Sequence, residues 1–204
     1  MPFGAATGGL YTSSGRRKYL TAEERRRFLE AADKQSRPEL RTLCLTLAHT
    51  GARISEVLAL TCASIELDGG FIAIRSLKKR TRQIVVREIP APRDLLHALA
   101  AVHHIATRDP EARLWTWCRS RAWQLVKSVL RDARVTPGPH ATPKGLRHGF
   151  GLHAIRSGVP LNLVQRWLGH ASMTTTAIYL QAIGKEEREI AARMWPESCE
   201  TRKR

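Results

Sequence analysis

Hydrophobic residues recur at helical spacing through the first third of the chain. The run Thr21-Ala22-Glu23-Glu24 predicts a capping box, in which a hydroxyl and a carboxylate satisfy each other's backbone donors, and the helix it opens extends to about Lys34. Pro38 suits the first turn of a second helix, which is predicted to end near Thr50-Gly51. The same spacing predicts a third helix over residues 52–60.

In the middle of the chain the pattern takes the period of β-strands. Phe71-Ile72-Ala73-Ile74 follows an Asp68-Gly69-Gly70 turn, and a second strand is predicted over residues 84–89, ended by Pro90. The basic run Lys78-Lys79-Arg80-Thr81-Arg82 lies between these strands. We therefore expect an antiparallel hairpin with a basic tip.

Helical spacing returns after this hairpin. It predicts helices over residues 94–106, 120–134, 144–157 and 160–168, helical turns over 174–181, and a last helix from residue 185. The predicted fold class is mainly α with one small antiparallel β-sheet, an α+β fold. The predicted organisation is a flexible basic leader over residues 1–20, one domain over 21–195, and a polar tail over 196–204.

The charge of the chain points to a polyanionic partner. Its 204 residues include 34 Lys and Arg against 18 Asp and Glu, a net charge of +16, and the hydrophobic fraction of 43% suffices for a core. Residues 71–157 carry 17 basic and 5 acidic residues, a net of 17 − 5 = +12. Nucleic acid is therefore favoured over a membrane surface, with the basic face on the hairpin and the central helices.

Other classes of protein are disfavoured. No apolar run approaches the ~18–20 residues of a membrane span, and no secretory signal opens the chain. The four cysteines, Cys44, Cys62, Cys118 and Cys199, lie far apart and form no CxxC pair, which argues against a zinc site or a disulfide framework. This cysteine usage fits a reducing cytoplasm.

Three short motifs follow one another in the sequence. They are Thr50-Gly51-Ala52-Arg53-Ile54-Ser55-Glu56, Lys144-Gly145-Leu146-Arg147-His148, and Leu168-Gly169-His170-Ala171-Ser172. Tyr179 follows His170 by nine residues. In order, spacing and flanking apolar pattern these motifs resemble the signatures of the tyrosine recombinases, the phage integrase family, over about residues 21–195.

The resemblance implies cleavage and rejoining of DNA strands through a 3′-phosphotyrosyl intermediate on Tyr179, with no metal or nucleotide cofactor. A phenol with a pKa of about 10 is a weak nucleophile at neutral pH, so Tyr179 would need cationic surroundings. Arg53 and Arg147 would each donate paired hydrogen bonds to the scissile phosphate. His170 would also bind this phosphate, and Lys78 would protonate the leaving 5′-oxygen.

Further basic and supporting residues follow from the same resemblance. Lys144 stands where the family most often has histidine, so it keeps a phosphate donor but loses an imidazole base. Lys79 is the alternative general acid, although we interpret it, with two neighbours, as a contact to DNA phosphates. The residues expected to bind the DNA backbone are Lys79, Arg80 and Arg82. Glu56 and His148 are interpreted as supports of the catalytic groups.

The resemblance also sets expectations for partners and architecture. The partner is expected to be double-stranded DNA with a specific recombination site, bound by a tetramer of this chain, in the nucleoid of a prokaryote or from a mobile element. Only about 20 residues precede the first helix, so the chain is expected to be of the short kind without a core-binding domain. Two alternatives stay open: a non-catalytic DNA-binding accessory protein, and a type IB topoisomerase. Trp115, Trp117 and Trp123 are interpreted as core residues.

Overall fold

A computed structural model describes residues 9–76 and 85–180 of the chain. These residues form eight α-helices, a 3₁₀ turn at Cys62–Ser64 and three short strands. The helices are α1 (Ala22–Asp33), α2 (Pro38–Thr50), α3 (Ile54–Val57), α4 (Arg93–His103), α5 (Arg119–Asp132), α6 (Pro143–Arg156), α7 (Leu161–Leu168) and α8 (Met173–Ala177). The strands are β1 (Ile65–Glu66), β2 (Phe71–Arg75) and β3 (Val86–Pro90). The predicted fold class is confirmed.

The first two helices begin and end where local sequence signals place them. The Thr21 hydroxyl accepts a hydrogen bond from the backbone N–H of Glu24 at 3.2 Å, and the Glu24 carboxylate accepts one from the N–H of Thr21 at 3.0 Å. α2 ends at Gly51, whose φ of +61° is left-handed. A Cβ there would lie 2.4 Å from the ring of Phe150, so this position also needs glycine for packing.

The third helix is much shorter than predicted. The α-helix covers only Ile54–Val57. It begins there because Arg53 is extended at φ −71° and ψ 144°, with its N–H donating to the Glu56 carboxylate. After Leu58 the backbone changes to tighter bonds, from Ala59 N–H to the Glu56 carbonyl and from Leu60 N–H to the Val57 carbonyl. Ala52, Leu58 and Leu60 are nevertheless buried. Their spacing therefore reflects burial of a compact turn and not a longer helix.

Two later helices also end earlier than predicted. α4 stops at His103 because His104 adopts a left-handed conformation with φ +52°. α5 stops at Asp132, two residues before Arg134, which has φ +53°. Left-handed backbone cannot continue a right-handed helix, whatever the side chains beyond it.

The three strands form an antiparallel sheet in the order β1-β2-β3. Ile72 pairs with Ile89 and Ile74 pairs with Arg87, and all four of these residues are buried on the same face. Pro90 is the last residue of β3 and pairs with Phe71, so it lies within the strand and does not merely follow it. β1 has only two residues and was not predicted.

The buried side chains form two clusters. The larger lies among α1, α2, α4, α5 and the sheet, and the smaller gathers residues of α6 and α7 around Tyr179. Leu10, in the segment expected to be a leader, is buried in the smaller cluster, and Arg17 pairs with Glu24 at 2.5 Å. Within the described residues no helix is long and apolar enough to cross a membrane.

Candidate active site

A cleft of about 840 Å³ opens where the N-terminal ends of α3 and α6 meet the turn between α7 and α8. The described side chains that line it include, from the three sequence motifs, Arg53, Lys144, Arg147, His148 and His170. Arg119 and Trp123 of α5 form a further wall. The fold therefore brings three segments that are distant in sequence to one basic cleft.

Arg53 is held in the cleft by the helix that follows it. Its Nη1 donates to Glu56 Oε1 at 2.8 Å and its backbone N–H donates to Glu56 Oε2 at 2.9 Å. The Arg53 side chain stays about one-third exposed, at 32%. Glu56 therefore fixes the orientation of the Arg53 guanidinium, and the exposed part of this side chain is available to bind an anion.

The Glu56 carboxylate is buried and charged. Burial by itself would raise its pKa, but the charge of Arg87 and the hydrogen bonds from Arg53 and Arg87 outweigh burial and lower the pKa below its ordinary value. Arg87 Nη2 donates to Glu56 Oε2 at 2.5 Å. Glu56 therefore supports Arg53, and it depends in turn on Arg87.

Arg147 joins the first motif to the third. This buried guanidinium of α6 donates from Nη1 to the Gly51 carbonyl at 2.8 Å and from Nη2 to the Leu168 carbonyl at 2.6 Å. Burial, followed by the charge of Arg53, lowers the pKa of Arg147 to about 10, which keeps it charged at neutral pH. The Arg147 side chain therefore hydrogen-bonds to the C-terminal ends of both α2 and α7.

His170 follows a helix end that only glycine fits well. Gly169 caps α7 with φ +63°, and His170 then turns its ring into the cleft. His170 Nδ1 lies 2.9 Å from the Thr176 hydroxyl of α8, which fixes the orientation of the imidazole. Lys144, exposed in the first turn of α6, lines the same cleft.

Tyr179 lies beneath the cleft and not in it. Its side chain is fully buried, with its hydroxyl 3.2 Å from His148 Nδ1 and its ring stacked near that of His170 at 6.3 Å between centroids. Burial raises the pKa of Tyr179 to about 12, against the opposing charges of Arg147 and Arg53. Burial, with the charges of Lys144 and Arg147, lowers the pKa of His148 to about 4. At neutral pH this pair is a neutral phenol beside a neutral imidazole.

The arrangement can bind a singly or doubly charged oxyanion. Three arginines (Arg53, Arg119 and Arg147), one lysine and the N-terminal end of α6 line the same space, which favours negative charge. In the described part of the chain, no group of three or more His, Cys, Asp and Glu side chains is placed to hold a metal ion.

The sequence profile of the phage integrase family matches residues 18–186 of the chain. The chain belongs to the phage integrase family. Tyrosine recombinase XerA of Pyrococcus furiosus is 30% identical over 187 residues, which cover 86% of this chain and 61% of that protein. The resemblance drawn from the three motifs is confirmed.

Solved structures of recombinases share the fold. The crystal structure of XerA recombinase matches with a TM-score of 0.70 at 25% identity, over 88% of this chain and 66% of that chain. XerH site-specific recombinase bound to difH substrate, in a pre-cleavage complex, matches with a TM-score of 0.70 at 22% identity, over 91% of this chain and 60% of that chain. This chain spans about three fifths of the length of the curated relatives.

The basic residues predicted for the hairpin tip of this chain lie outside the described residues. They are Lys78, Lys79, Arg80 and Arg82. The chain is described up to Ser76, just after β2, and again from Val85, just before β3. The assignment of the general acid therefore stays a prediction.

One residue of the site was interpreted wrongly from the sequence, and another was not predicted. Trp123 is 41% exposed and lines the cleft, so its interpretation as a core residue is wrong, whereas Trp115 is buried. Arg87 was not singled out, although Val86-Arg87-Glu88-Ile89 places a charge on the same strand face as Ile89. That inward charge was the available signal.

Proposed function

We propose that this chain is the catalytic domain of a tyrosine-type site-specific recombinase, which cleaves and rejoins DNA strands through a 3′-phosphotyrosyl intermediate on Tyr179. The single observation that carries the proposal is the convergence of Arg53, Arg147, Lys144 and His170 on one cleft directly above Tyr179. Family membership supports it.

The cations of the cleft would bind the scissile phosphate. Negative charge builds on its non-bridging oxygens in the transition state, and fixed guanidiniums stabilise that charge without reorganising. Arg53 is oriented by Glu56 and Arg147 by two backbone carbonyls, so both are preorganised. Lys144 and His170, which line the same cleft, would donate to the same phosphate.

Tyr179 would attack the phosphorus after its hydroxyl reaches the cleft. With a pKa of about 12 in the buried position, the phenol is protonated and unreactive there. The attack forms the bond from the tyrosine oxygen to phosphorus and breaks the bond from phosphorus to the 5′-oxygen. The phenol proton passes to solvent as the bond to phosphorus forms, because the contact with His148, 3.2 Å long in the buried position, is lost when the hydroxyl reaches the cleft.

The leaving 5′-oxygen gains a proton in the same step, and Lys78 is our proposed donor. Reversal of the step with a different 5′-hydroxyl rejoins the strands, so cleavage and joining use the same groups. We propose double-stranded DNA as substrate and a tetramer of protomers as the assembly. XerH, which shares the fold, is bound to its difH substrate in a pre-cleavage complex.

A suicide substrate tests this function. A pool of duplexes tiled across the DNA that flanks the gene, each nicked close to a candidate cleavage site, would lose the short leaving strand after attack and trap the covalent protein–DNA adduct. We expect wild type to form an adduct that survives SDS and Tyr179→Phe to form none. Equal, background-level adduct from both proteins would refute the proposal.

The matched control for this experiment is Tyr19→Phe. Tyr19 is half-buried and its hydroxyl lies 3.1 Å from that of Tyr11, away from the cleft. The same atom is removed, so this variant should retain wild-type adduct formation. Loss of the adduct in both variants would indicate that the result reflects folding.

A second function is favoured by one observation. Tyr179 is fully buried, which suits a DNA-binding accessory protein that keeps the fold without cleaving. This alternative predicts a sequence-dependent gel shift that Tyr179→Phe leaves unchanged, with no adduct from any nicked duplex. The suicide substrate therefore separates the two functions.

A further inference from the structure

Arg87 is a charged residue at an inward-facing position of a strand. In β3 (Val86–Pro90) the buried positions are Arg87 and Ile89, and the Arg87 side chain is only 3% exposed. Its strand partner on the same face is Ile74. Burial of a charge is costly unless the charge is paired and hydrogen-bonded, so the partners of Arg87 explain its presence.

One partner lies in the first motif, and the other directly precedes the third. Nη2 of Arg87 donates to Glu56 Oε2 at 2.5 Å, and Nε donates to the Trp167 carbonyl at 2.8 Å. The next carbonyl of α7, that of Leu168, accepts from Arg147. Two buried guanidiniums therefore hold consecutive carbonyls at the end of α7, immediately before Gly169 and His170.

Arg87 reaches Arg53 through the carboxylate of Glu56. Oε2 of Glu56 accepts from both Arg87 and the Arg53 backbone, while Oε1 accepts from the Arg53 guanidinium. The carboxylate is 1% exposed, so water does not replace a lost partner easily. Without Arg87, Glu56 loses the charge that fixes one of its oxygens, and Arg53 loses a rigid support.

Gly169 leaves room for this side chain. A Cβ at Gly169 would lie 3.0 Å from Nη1 of Arg87 and 3.1 Å from its Cζ. Among the described residues none accepts a hydrogen bond from that buried Nη1. The guanidinium is thus held tightly against the turn that carries His170, by packing as well as by its two hydrogen bonds.

We propose that Arg87 is a positioning residue for the cleavage step. It fixes Glu56, and through it Arg53, relative to the end of α7 that sets His170, so that both phosphate-binding groups keep one geometry. It does not touch the substrate. The inference rests on the proposed function, because it needs a reaction whose rate depends on Arg53.

Single-turnover cleavage of the nicked duplex at saturating protein measures this role. We expect Arg87→Met to slow adduct formation at least tenfold while the Kd for DNA stays within twofold of wild type. Arg87→Lys keeps the positive charge but has a single donor nitrogen, whereas Arg87 donates from two nitrogens. This variant should therefore cleave faster than Arg87→Met and more slowly than wild type. Unfolding midpoints for each variant establish that the proteins are folded at the assay temperature.

The matched control is Arg25→Lys. Arg25 of α1 is half-buried, donates to the backbone carbonyl of Ala48 and has a buried Nε, but it is not part of the cleft lining. This variant should cleave at the wild-type rate. A comparable loss of rate in Arg25→Lys and Arg87→Lys would overturn the inference.

A second substrate separates positioning from a general loss of structure. A methylphosphonate at the scissile linkage removes the charge of one non-bridging oxygen, so the reaction depends less on Arg53. The rate deficit of Arg87→Lys should shrink severalfold on this substrate, as should that of Arg53→Ala. An Arg87→Lys deficit of the same size on both substrates, or a wild-type rate on the phosphodiester, would overturn the inference.

The outcomes also separate this inference from the proposed function. If wild type forms no adduct with any duplex, the recombinase function fails and the inference fails with it. If wild type forms the adduct and the Arg87 variants match it, only the role of Arg87 fails.

Discussion

At the scale of single residues, the state of Tyr179 is decided by its neighbours. The hydroxyl lies against His148, and the ring packs directly on the backbone of α6 at Gly151. Because these contacts bury the phenol and raise its pKa, the proposed nucleophile is protonated and unreactive in this position. The proposed attack on DNA would therefore require that the contacts of Tyr179 with α6 be exchanged for contacts in the cleft.

We predict that Gly151→Ala destabilises the folded protein by about 1–3 kcal/mol, the usual cost of overpacking a core. The new methyl group would lie 2.6 Å from Cζ of Tyr179, which must move. Urea unfolding measures the change in the free energy of unfolding. Gly149→Ala on the same helix is the control, because its methyl would lie 3.2 Å from its nearest neighbour and should cost less. Equal costs would contradict the tight packing of Tyr179.

At the scale of elements, the site depends on how α6 begins. The Thr142 hydroxyl caps this helix by accepting from the Gly145 N–H at 3.1 Å. Lys144 and Arg147 follow within the first turns, so the cap sets the direction in which both enter the cleft. α1 has an equivalent cap at Thr21, but α1 contributes no side chain to the cleft lining.

We predict that Thr142→Ala and Thr21→Ala each lower the free energy of unfolding by about 1 kcal/mol, the usual value of a helix cap. Only Thr142→Ala should also slow adduct formation on the nicked duplex, because only α6 carries cleft residues. Thermal unfolding and single-turnover cleavage of both variants provide the comparison. Equal cleavage rates in the two variants would show that the start of α6 does not position the site.

At the scale of the whole molecule, buried neutral histidines make stability depend on pH. Burial lowers the pKa of His103 and of His148 to about 4, below the ordinary value of 6.5. Between these values the unfolded chain binds protons that the folded protein does not, so the free energy of unfolding falls as the pH falls. Glu24 and Glu56 have lowered pKa values, so their contribution is lost only at lower pH, below the ordinary carboxyl range.

We predict that urea unfolding shows lower stability at pH 5 than at pH 7, by up to about 1.4 kcal/mol per pH unit for each buried histidine. His103→Gln should flatten this dependence, since it removes a titrating group and keeps a polar side chain near Thr42. Exposed His97→Gln is the control and should keep the wild-type slope. A stability that does not change between pH 7 and pH 5 would mean that these histidines titrate normally.

Much of the fold could be predicted because its signals are local. The capping box at Thr21, the proline at the start of α2 and the glycine after it act on backbone groups within a few residues. The extent of α3 could not be predicted, because the apolar spacing over residues 52–60 is compatible with a long helix as well as with the short helix and buried turn that form. The two-residue strand β1 carries too little pattern to be seen.

The sequence by itself determined the family, the order of the main elements and the basic character of the cleft. Only the tertiary structure decided that Tyr179 is buried against Gly151, that Trp123 faces the cleft, and that Arg87 binds Glu56. These facts depend on contacts between residues far apart in the chain. Burial, charge pairing and pKa are properties of such contacts, and no local pattern of residues contains them.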